Sequence, residues 1–323
     1  MIYAAGLVVA PRPMKPLLLA LNYLSDLHQA QIAEAFELLY AASPAERQQC
    51  IAARGGEIEA VLTIGSVGLR GEEMDAMPRL QLVCALGAGY ENIDVAHART
   101  RGIVVANGAG TNDDCVADHA LGLLLATVRG IPRLDALTRE GVWREELPLP
   151  PNVSGRRLGL LGLGTIGRKI ARRAEGFDIE VGYHNRQPRS DVPYRYFDRL
   201  LALAEWADFL VVATPGGPQT RHLVDGEVLA ALGPRGVLVN IARGSVVDTE
   251  ALARCLRDGR LAGAGLDVYE SEPQPPRVLM GLPGVVLTPH VAGWSPEAVQ
   301  RSVDRFLANA RGHFSGQGVV SPL

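Results

Sequence analysis

Three side chains able to manage a proton and an anion together, Arg243, Glu272 and His290, each stand just beyond an apolar run. Arg243 follows residues 237–241, Glu272 lies past Asp267 at the close of 261–268, and His290 follows 285–287. An imidazole, with an ordinary pKa near 6.5, can donate or accept a proton at working pH. A carboxylate beside it favours the imidazolium and fixes the ring. A guanidinium can take a substrate carboxylate bidentately and polarise the adjacent carbonyl. Singly, a strand-end His, a Glu before Pro and an Arg before Gly are more often structural. Their joint occurrence at the ends of strands in one sheet is what points to acid–base work on an anionic carbonyl compound.

A phosphate-binding turn precedes them. Residues 157–186 read RLGLLGLGTIGRKIARRAEGFDIEVGYHNR: an apolar strand, a Gly162-x-Gly164-x-x-Gly167 turn, a helix opening at Thr165 and Ile166, and a second strand. Such glycines allow a tight turn and close backbone approach, and the helix N-terminus then offers amides to a pyrophosphate. Alone, the pattern is weak in a chain with 36 glycines. The flanking strand at 158–161, the helical face Ile166, Ile170 and Ala174, and the strand at 179–183 supply the context it needs. About twenty residues on, where an NAD site usually places Asp or Glu against the ribose, the chain has His184, Asn185 and Arg186, with Arg189 following. A guanidinium pairs with a 2′-phosphate that a carboxylate would repel, so NADP(H) is favoured and NAD(H) is the second choice. Only Lys15 and Lys169 are lysines, so arginine is abundant everywhere, and Arg186 and Arg189 also read as solvated surface residues. A second Gly-rich turn, LGAGYENID at 86–94, follows another strand. The amides of Ala88 and Gly89 there could take a substrate carboxylate, and a plain tight turn is an equal reading.

The elements that must position these groups alternate between strand and helix throughout, the pattern of α/β domains with parallel sheets. Strands are expected at 17–21, 60–64, 80–86 and 103–106, with helices at 26–39, 44–53 and 95–100. These make one small doubly wound domain. A second set runs through 158–161, 179–183, 209–213, 237–241, 261–268 and 285–287, with helices at 226–232 and 249–258. Asp248 caps the latter and Gly259 closes it. The final helix, 296–311, has no strand of the second set left to cover, so it is assigned to the first domain. The expected fold is two doubly wound parallel-sheet domains flanking a cleft: a substrate domain of 1–106 plus 292–323, flavodoxin-like, and a Rossmann-type cofactor domain of 107–291. Residues 113–129 form a helix apolar nearly all round, to be buried in the fold or at a subunit interface. Pro148, Pro150 and Pro151 mark a surface loop.

Composition narrows the partners. The chain has 323 residues, a formal net charge of -3 and 5% aromatic residues, and no basic run with interleaved aromatics, so nucleic acid is not an expected partner. No apolar run reaches the roughly 18–20 residues of a membrane span. The first residues lack a basic n-region, so a signal peptide is not expected. Met14 directly precedes the first strand, and 1–13 read as a disordered extension. Cys50, Cys84, Cys115 and Cys255 show no CxxC or Cys/His spacing, so neither a metal site nor a disulfide framework is indicated, and a reducing cytoplasm fits.

With these stretches in view, the chain after Met14 resembles the D-isomer-specific 2-hydroxyacid dehydrogenases. The matching motifs are GAGYENID at 87–94, TNDDCVADHALGLLLA at 111–126, GLLGLGTIGRKIA at 159–171, LVNIARGSVVDTEAL at 238–252, GLDVYESEP at 265–273 and LTPHVAGW at 287–294. The resemblance implies that Arg243, Glu272 and His290 are the catalytic set, with Arg243 also binding substrate. It implies that Asp267 and the Ala242 backbone meet the nicotinamide carboxamide, that Thr214 and Pro215 lie along the adenosine, and that Thr111, Gly293 and His290 approach the cofactor. It implies a homodimer joined through the cofactor domains, with Trp143 reaching toward the partner. The YHNRQPR stretch resembles the NADPH-preferring glyoxylate/hydroxypyruvate reductase branch, so the expected reaction is reduction of a small 2-oxo acid. Tyr90, Trp143 and Trp294 are expected to shape the pocket. Phenylpyruvate or 2-ketogluconate reduction, formate or phosphite oxidation, and a nucleotide-sensing corepressor role are the alternatives. Phosphoglycerate oxidation is disfavoured by the short C-terminus.

Overall fold

Residues 15–323 are described by the computed structural model; the expectations for 1–13 and Met14 lie outside the described residues. Two compact units divide the chain: one ends at Ala109 and takes in Gln300–Leu323, the other is Gly110–Val299.

The first unit holds β1 (Leu17–Ala20), β2 (Glu37–Tyr40), β3 (Ile58–Thr63), β4 (Leu82–Ala85) and β5 (Val104–Ala106) in the order β2-β1-β3-β4-β5, all parallel. This is the flavodoxin-like order. β1 and β4 are buried at every position, which is why they read as unbroken apolar runs. One expectation fails here. The helix expected over 26–39 ends at Ala33, and Glu37–Tyr40 is an edge strand beside β1. Ile32 and Phe36 are spaced as helix neighbours, but the amides of Ala35 and Phe36 both close onto the Ile32 carbonyl and end the helix. Phe36 then packs on Phe306 of the last helix, Pro296–Phe314, which belongs to this unit from Gln300 onward.

The second unit holds β6 (Arg157–Leu161), β7 (Glu180–His184), β8 (Arg195–Tyr196), β9 (Phe209–Val212), β10 (Val237–Asn240), β11 (Gly263–Leu266) and β12 (Val285–Leu287). Their order is β12-β11-β10-β9-β6-β7-β8, again all parallel. Numbered within the unit this is the Rossmann order with one strand added at the far edge, and its switch point lies between β6 and β9. The apolar helix Asp113–Arg129 packs on β10, β11 and β12, with Val116, Ala120, Leu123 and Leu124 in the core. Gly130 ends it in the left-handed conformation, and Pro132 then opens a new helix, Ile131–Arg139, that the sequence reading did not contain. Proline in a first turn lacks only an N–H that would be unpaired anyway. The short helix Leu200–Trp206 and the two-residue β8 were also not anticipated. Among the described residues no single helix is long and apolar enough to cross a membrane.

Candidate active site

In an open parallel sheet every strand delivers its following loop to one edge, and in the second unit those loops carry the candidate residues. After β6, Gly162 sits at φ +101, where a Cβ would strike the Ala213 carbonyl. A Cβ on Gly167 would lie 2.2 Å from the Gly162 carbonyl oxygen. Both glycines are therefore required by the protein itself. Gly164 differs, because a Cβ there meets nothing within 4 Å. The space over it is what a pyrophosphate needs to approach the backbone. Gly164 is also the N-cap of Thr165–Glu175, whose first-turn amides at Thr165, Ile166 and Gly167 have no side-chain cap. An anion suits that end of the helix dipole, so the residues present fit a dinucleotide.

Beyond β7 the expected ribose residues separate. Asn185 turns inward, and its Oδ1 accepts from the Leu163 amide at 2.7 Å, pinning the Gly-rich turn rather than facing outward. Arg189 is bound bidentately to Asp191 at 2.8 and 2.9 Å. That contact holds the Asp191 carboxyl below its ordinary range. Arg186 is exposed and has no ion pair or hydrogen bond among the described residues, so it is the available cation. Thr214 and exposed Pro215 follow β9 after Ala213.

The loop after β10 is set by Asn240, a polar side chain buried to 1% exposure at the end of an otherwise apolar strand. Its Oδ1 accepts from the Ala242 amide and its Nδ2 donates to the Arg243 carbonyl, both at 3.0 Å. Arg243 is half-buried and donates through Nη1 to the Ala242 carbonyl at 2.6 Å. Ala242, expected to meet a carboxamide, thus already has its backbone engaged inside the loop.

His290 and Glu272 come together. Nδ1 of His290 lies 2.7 Å from Oε2 of Glu272, and Oε1 of Glu272 accepts from the Tyr269 amide at 2.7 Å. The two side chains are 38% and 27% exposed, and the His290 Nε2 has no hydrogen-bond partner among the described residues. Glu272 raises the His290 pKa above its ordinary value; burial and Arg243 work against the rise, and Asp267 works with it. The His290 backbone is at φ +54, uncommon for a side-chain-bearing residue. Its amide is held by the Asp267 carbonyl at 2.8 Å.

Asp267 is placed behind this loop rather than on its surface. It is 1% exposed, and its carboxylate accepts from the Thr288 hydroxyl at 2.6 Å and from the Val291 and Ala292 amides at 2.9 Å. Burial alone would push its pKa up, but the donors His119, Thr288, Ala292 and Val291 together hold it below the ordinary value. Its first task is to shape the His290 loop. Gly293 likewise has an internal reason: a Cβ there would lie 2.5 Å from the Asn112 side-chain nitrogen. Thr111 is buried at 3% exposure just before that asparagine. Among the described residues no three His, Cys, Asp or Glu side chains gather as a metal site.

Sequence reasoning missed Asn240, Tyr269 and His119. The Tyr269 hydroxyl donates to the Thr288 carbonyl at 2.6 Å, and burial pushes its pKa up to about 12. Asn240 was detectable as the one polar residue closing an apolar run. In the first unit, the Asn107 side chain donates to the Ala88 carbonyl at 2.8 Å and holds the 87–89 turn. Tyr90, in the first unit, is 44% exposed, and in the second Trp143 and Trp294 are 64% and 63% exposed, so none is enclosed within its own unit.

Residues 121–292 match the family model "D-isomer specific 2-hydroxyacid dehydrogenase, NAD binding domain". The chain is 39% identical over 297 residues to a hydroxyphenylpyruvate reductase of Plectranthus scutellarioides, spanning 91% of this chain and 95% of the relative. It is 38% identical over 301 residues to a glyoxylate/hydroxypyruvate reductase of Arabidopsis thaliana, spanning 93% and 96%. A solved NADPH-dependent glyoxylate/hydroxypyruvate reductase of Sinorhizobium meliloti, in complex with NADP and malonate, superposes with a TM-score of 0.89 at 38% identity, covering 96% of this chain and 97% of that one.

Proposed function

The chain belongs to the D-isomer specific 2-hydroxyacid dehydrogenase family, and from that premise we propose that it reduces a small 2-oxo acid of the glyoxylate or hydroxypyruvate type to the D-2-hydroxy acid, preferring NADPH. The observation that carries this is the 2.7 Å pair of His290 with Glu272, which leaves Nε2 to meet a carbonyl oxygen. A bound NADPH supplies the hydride. His290 gives its proton to the substrate oxygen, and Glu272 keeps the ring protonated and oriented. Arg243 takes the carboxylate and polarises the carbonyl beside it. Thr165, Ile166 and Gly167 would hold the pyrophosphate, Thr111, Thr214 and Pro215 would line the rest of the cofactor, and Asp267 and Ala242, whose polar groups the loops already engage, would back the carboxamide's side of the site.

Arg186 supports the NADPH preference, because an unpaired guanidinium at the end of β7 suits a 2′-phosphate and no carboxylate occupies that position. Arg189 contributes less, being tied to Asp191. A homodimer through the second unit and a cytoplasmic location complete the proposal. Supporting the dimer, Ile131, Trp143 and Leu149, all between residues 131 and 149, are 52%, 64% and 96% exposed, apolar side chains that a partner subunit would cover.

A panel of 2-oxo acids assayed with NADPH and NADH, on the wild type and His290→Asn, tests the proposal. Asparagine tolerates the positive φ at 290. Turnover should be highest with glyoxylate or hydroxypyruvate, with larger kcat/KM for NADPH, and His290→Asn should lose roughly 10²- to 10⁴-fold in kcat with cofactor affinity kept. No turnover of any 2-oxo acid, or an active His290→Asn, would overturn it. A preference for phenylpyruvates would move the substrate assignment.

A further inference from the structure

We infer that His119 is a positioning residue for the proton donor, acting through Thr288 and Asp267 on the backbone that carries His290. The inference rests on the proposed role of His290. His119 lies on the helix Asp113–Arg129, far from the loops in sequence, with its side chain 25% exposed. Its Nε2 is 2.9 Å from the Thr288 hydroxyl oxygen and 3.5 Å from Oδ1 of Asp267.

Proton bookkeeping fixes the direction of this chain. Ionised Asp267 can only accept, so the single Thr288 hydroxyl proton goes to its Oδ1 at 2.6 Å. The Thr288 oxygen can then only accept from His119, which must carry a proton on Nε2. On the far side Asp267 accepts from the Val291 and Ala292 amides, and its carbonyl accepts from the His290 amide. His119 therefore closes a continuous set of hydrogen bonds that ends at a backbone held at φ +54, a conformation that persists only where its surroundings over-determine it. Remove the ring, and the Thr288 oxygen loses its donor while a carboxylate only 1% exposed loses the imidazole 3.5 Å from its Oδ1. The loop then relaxes, and His290 drifts from Glu272. The charged groups that bear on His290 are Glu272, Asp267 and Arg243, and of these the contact with Glu272 depends most on loop geometry.

The test uses two pairs of variants in the full chain: His119→Leu against His119→Gln, whose amide nitrogen reaches the Nε2 position, and Thr288→Val against Thr288→Ser. His119→Leu and Thr288→Val should each lower kcat for reduction about tenfold or more, as small misplacements of a reacting group do. NADPH Kd should stay within about twofold, and the double variant should be no worse than either single, because both break one chain. The alkaline limb of the kcat–pH profile, and the His290 ring titration followed by NMR, should both move to lower pH. Gln and Ser should restore most of the loss. A merely structural role would lower the melting temperature and expression without moving the titration, and that result overturns the inference, as does wild-type kcat in His119→Leu. Should His119→Leu fail to fold, the Thr288 pair and His119→Gln decide. If the wild type reduces no 2-oxo acid, or His290→Asn is active, the functional proposal has failed; if both behave as proposed and His119→Leu is normal, only this inference has.

Discussion

Glu272→Gln is the most exacting probe of the proton donor. Glu272 spends one oxygen on the Tyr269 amide and the other on His290 Nδ1, each at 2.7 Å. A glutamine can keep the first contact and the shape of the loop while losing the charge at the second. Two unit charges about 4 Å apart interact by about 1 kcal/mol in water and about 4 kcal/mol at an effective dielectric of 20. With the side chains 38% and 27% exposed, solvent screening places the pair toward the lower end, about 1.5 kcal/mol. That is about a tenfold loss in kcat/KM for reduction. The sign of the pH effect follows from the cause. Glu272 raises the His290 pKa, and reduction uses the protonated ring, so activity persists below that pKa and is lost as pH rises through it. Removing the charge moves this alkaline limb to lower pH. In the oxidative direction the neutral ring is the base, so the acid limb should move down with it. Steady-state rates in both directions between about pH 5 and 10 make the measurement. Limbs at their wild-type positions with less than a twofold rate loss would refute the assignment of Glu272.

Two further pairs of variants separate fold from ligand. Gly164→Ala adds a methyl that meets no protein atom, so it should melt within a few degrees of wild type, losing about 1 kcal/mol at most through the cap, while its affinity for either dinucleotide falls at least tenfold. Gly167→Ala drives a Cβ onto the Gly162 carbonyl and should cost about 1–3 kcal/mol of stability, read by thermal or urea unfolding; equal behaviour of the two would contradict the cradle. Arg186→Ser should raise the Kd for NADPH about tenfold with little change for NADH, whereas Arg189→Ser should have a smaller effect because Asp191 already holds that guanidinium. Fluorescence titration checks both, and equal losses with the two cofactors would remove the 2′-phosphate argument.

What was legible in the sequence was what a buried parallel strand forces on it. β10 is a buried run and β12 a half-buried apolar edge strand, and the charged residue types in the loops after them stand out against those runs. That is why Arg243 and His290 could be nominated, and why the Gly162 turn could be set between two strands. Hydrogen-bond partners were not legible, because they carry no period. Asn185 stands at the position of a ribose ligand yet serves Leu163, and Asp267 stands in a cofactor motif yet serves the loop after β12. His119 is hidden in a helix whose pattern announces only burial. The failure at 34–40 has another cause: Ile32 and Phe36 satisfy a helical spacing, while pairing of β2 with β1 is a tertiary preference that local spacing does not encode.

The direction of the His290 shift suits its proposed task. A general acid in reduction must be protonated at working pH, which Glu272 and Asp267 favour, yet must release its proton once the carbonyl oxygen gains charge. Arg243 and burial oppose the rise, so the guanidinium proposed to take the substrate carboxylate also favours release of the proton. Charge at the end of β10 and charge in the loop beyond β11 thus act on one ring from adjacent strands. The balance between them also depends on Asn240, Tyr269 and Thr288 holding the loops.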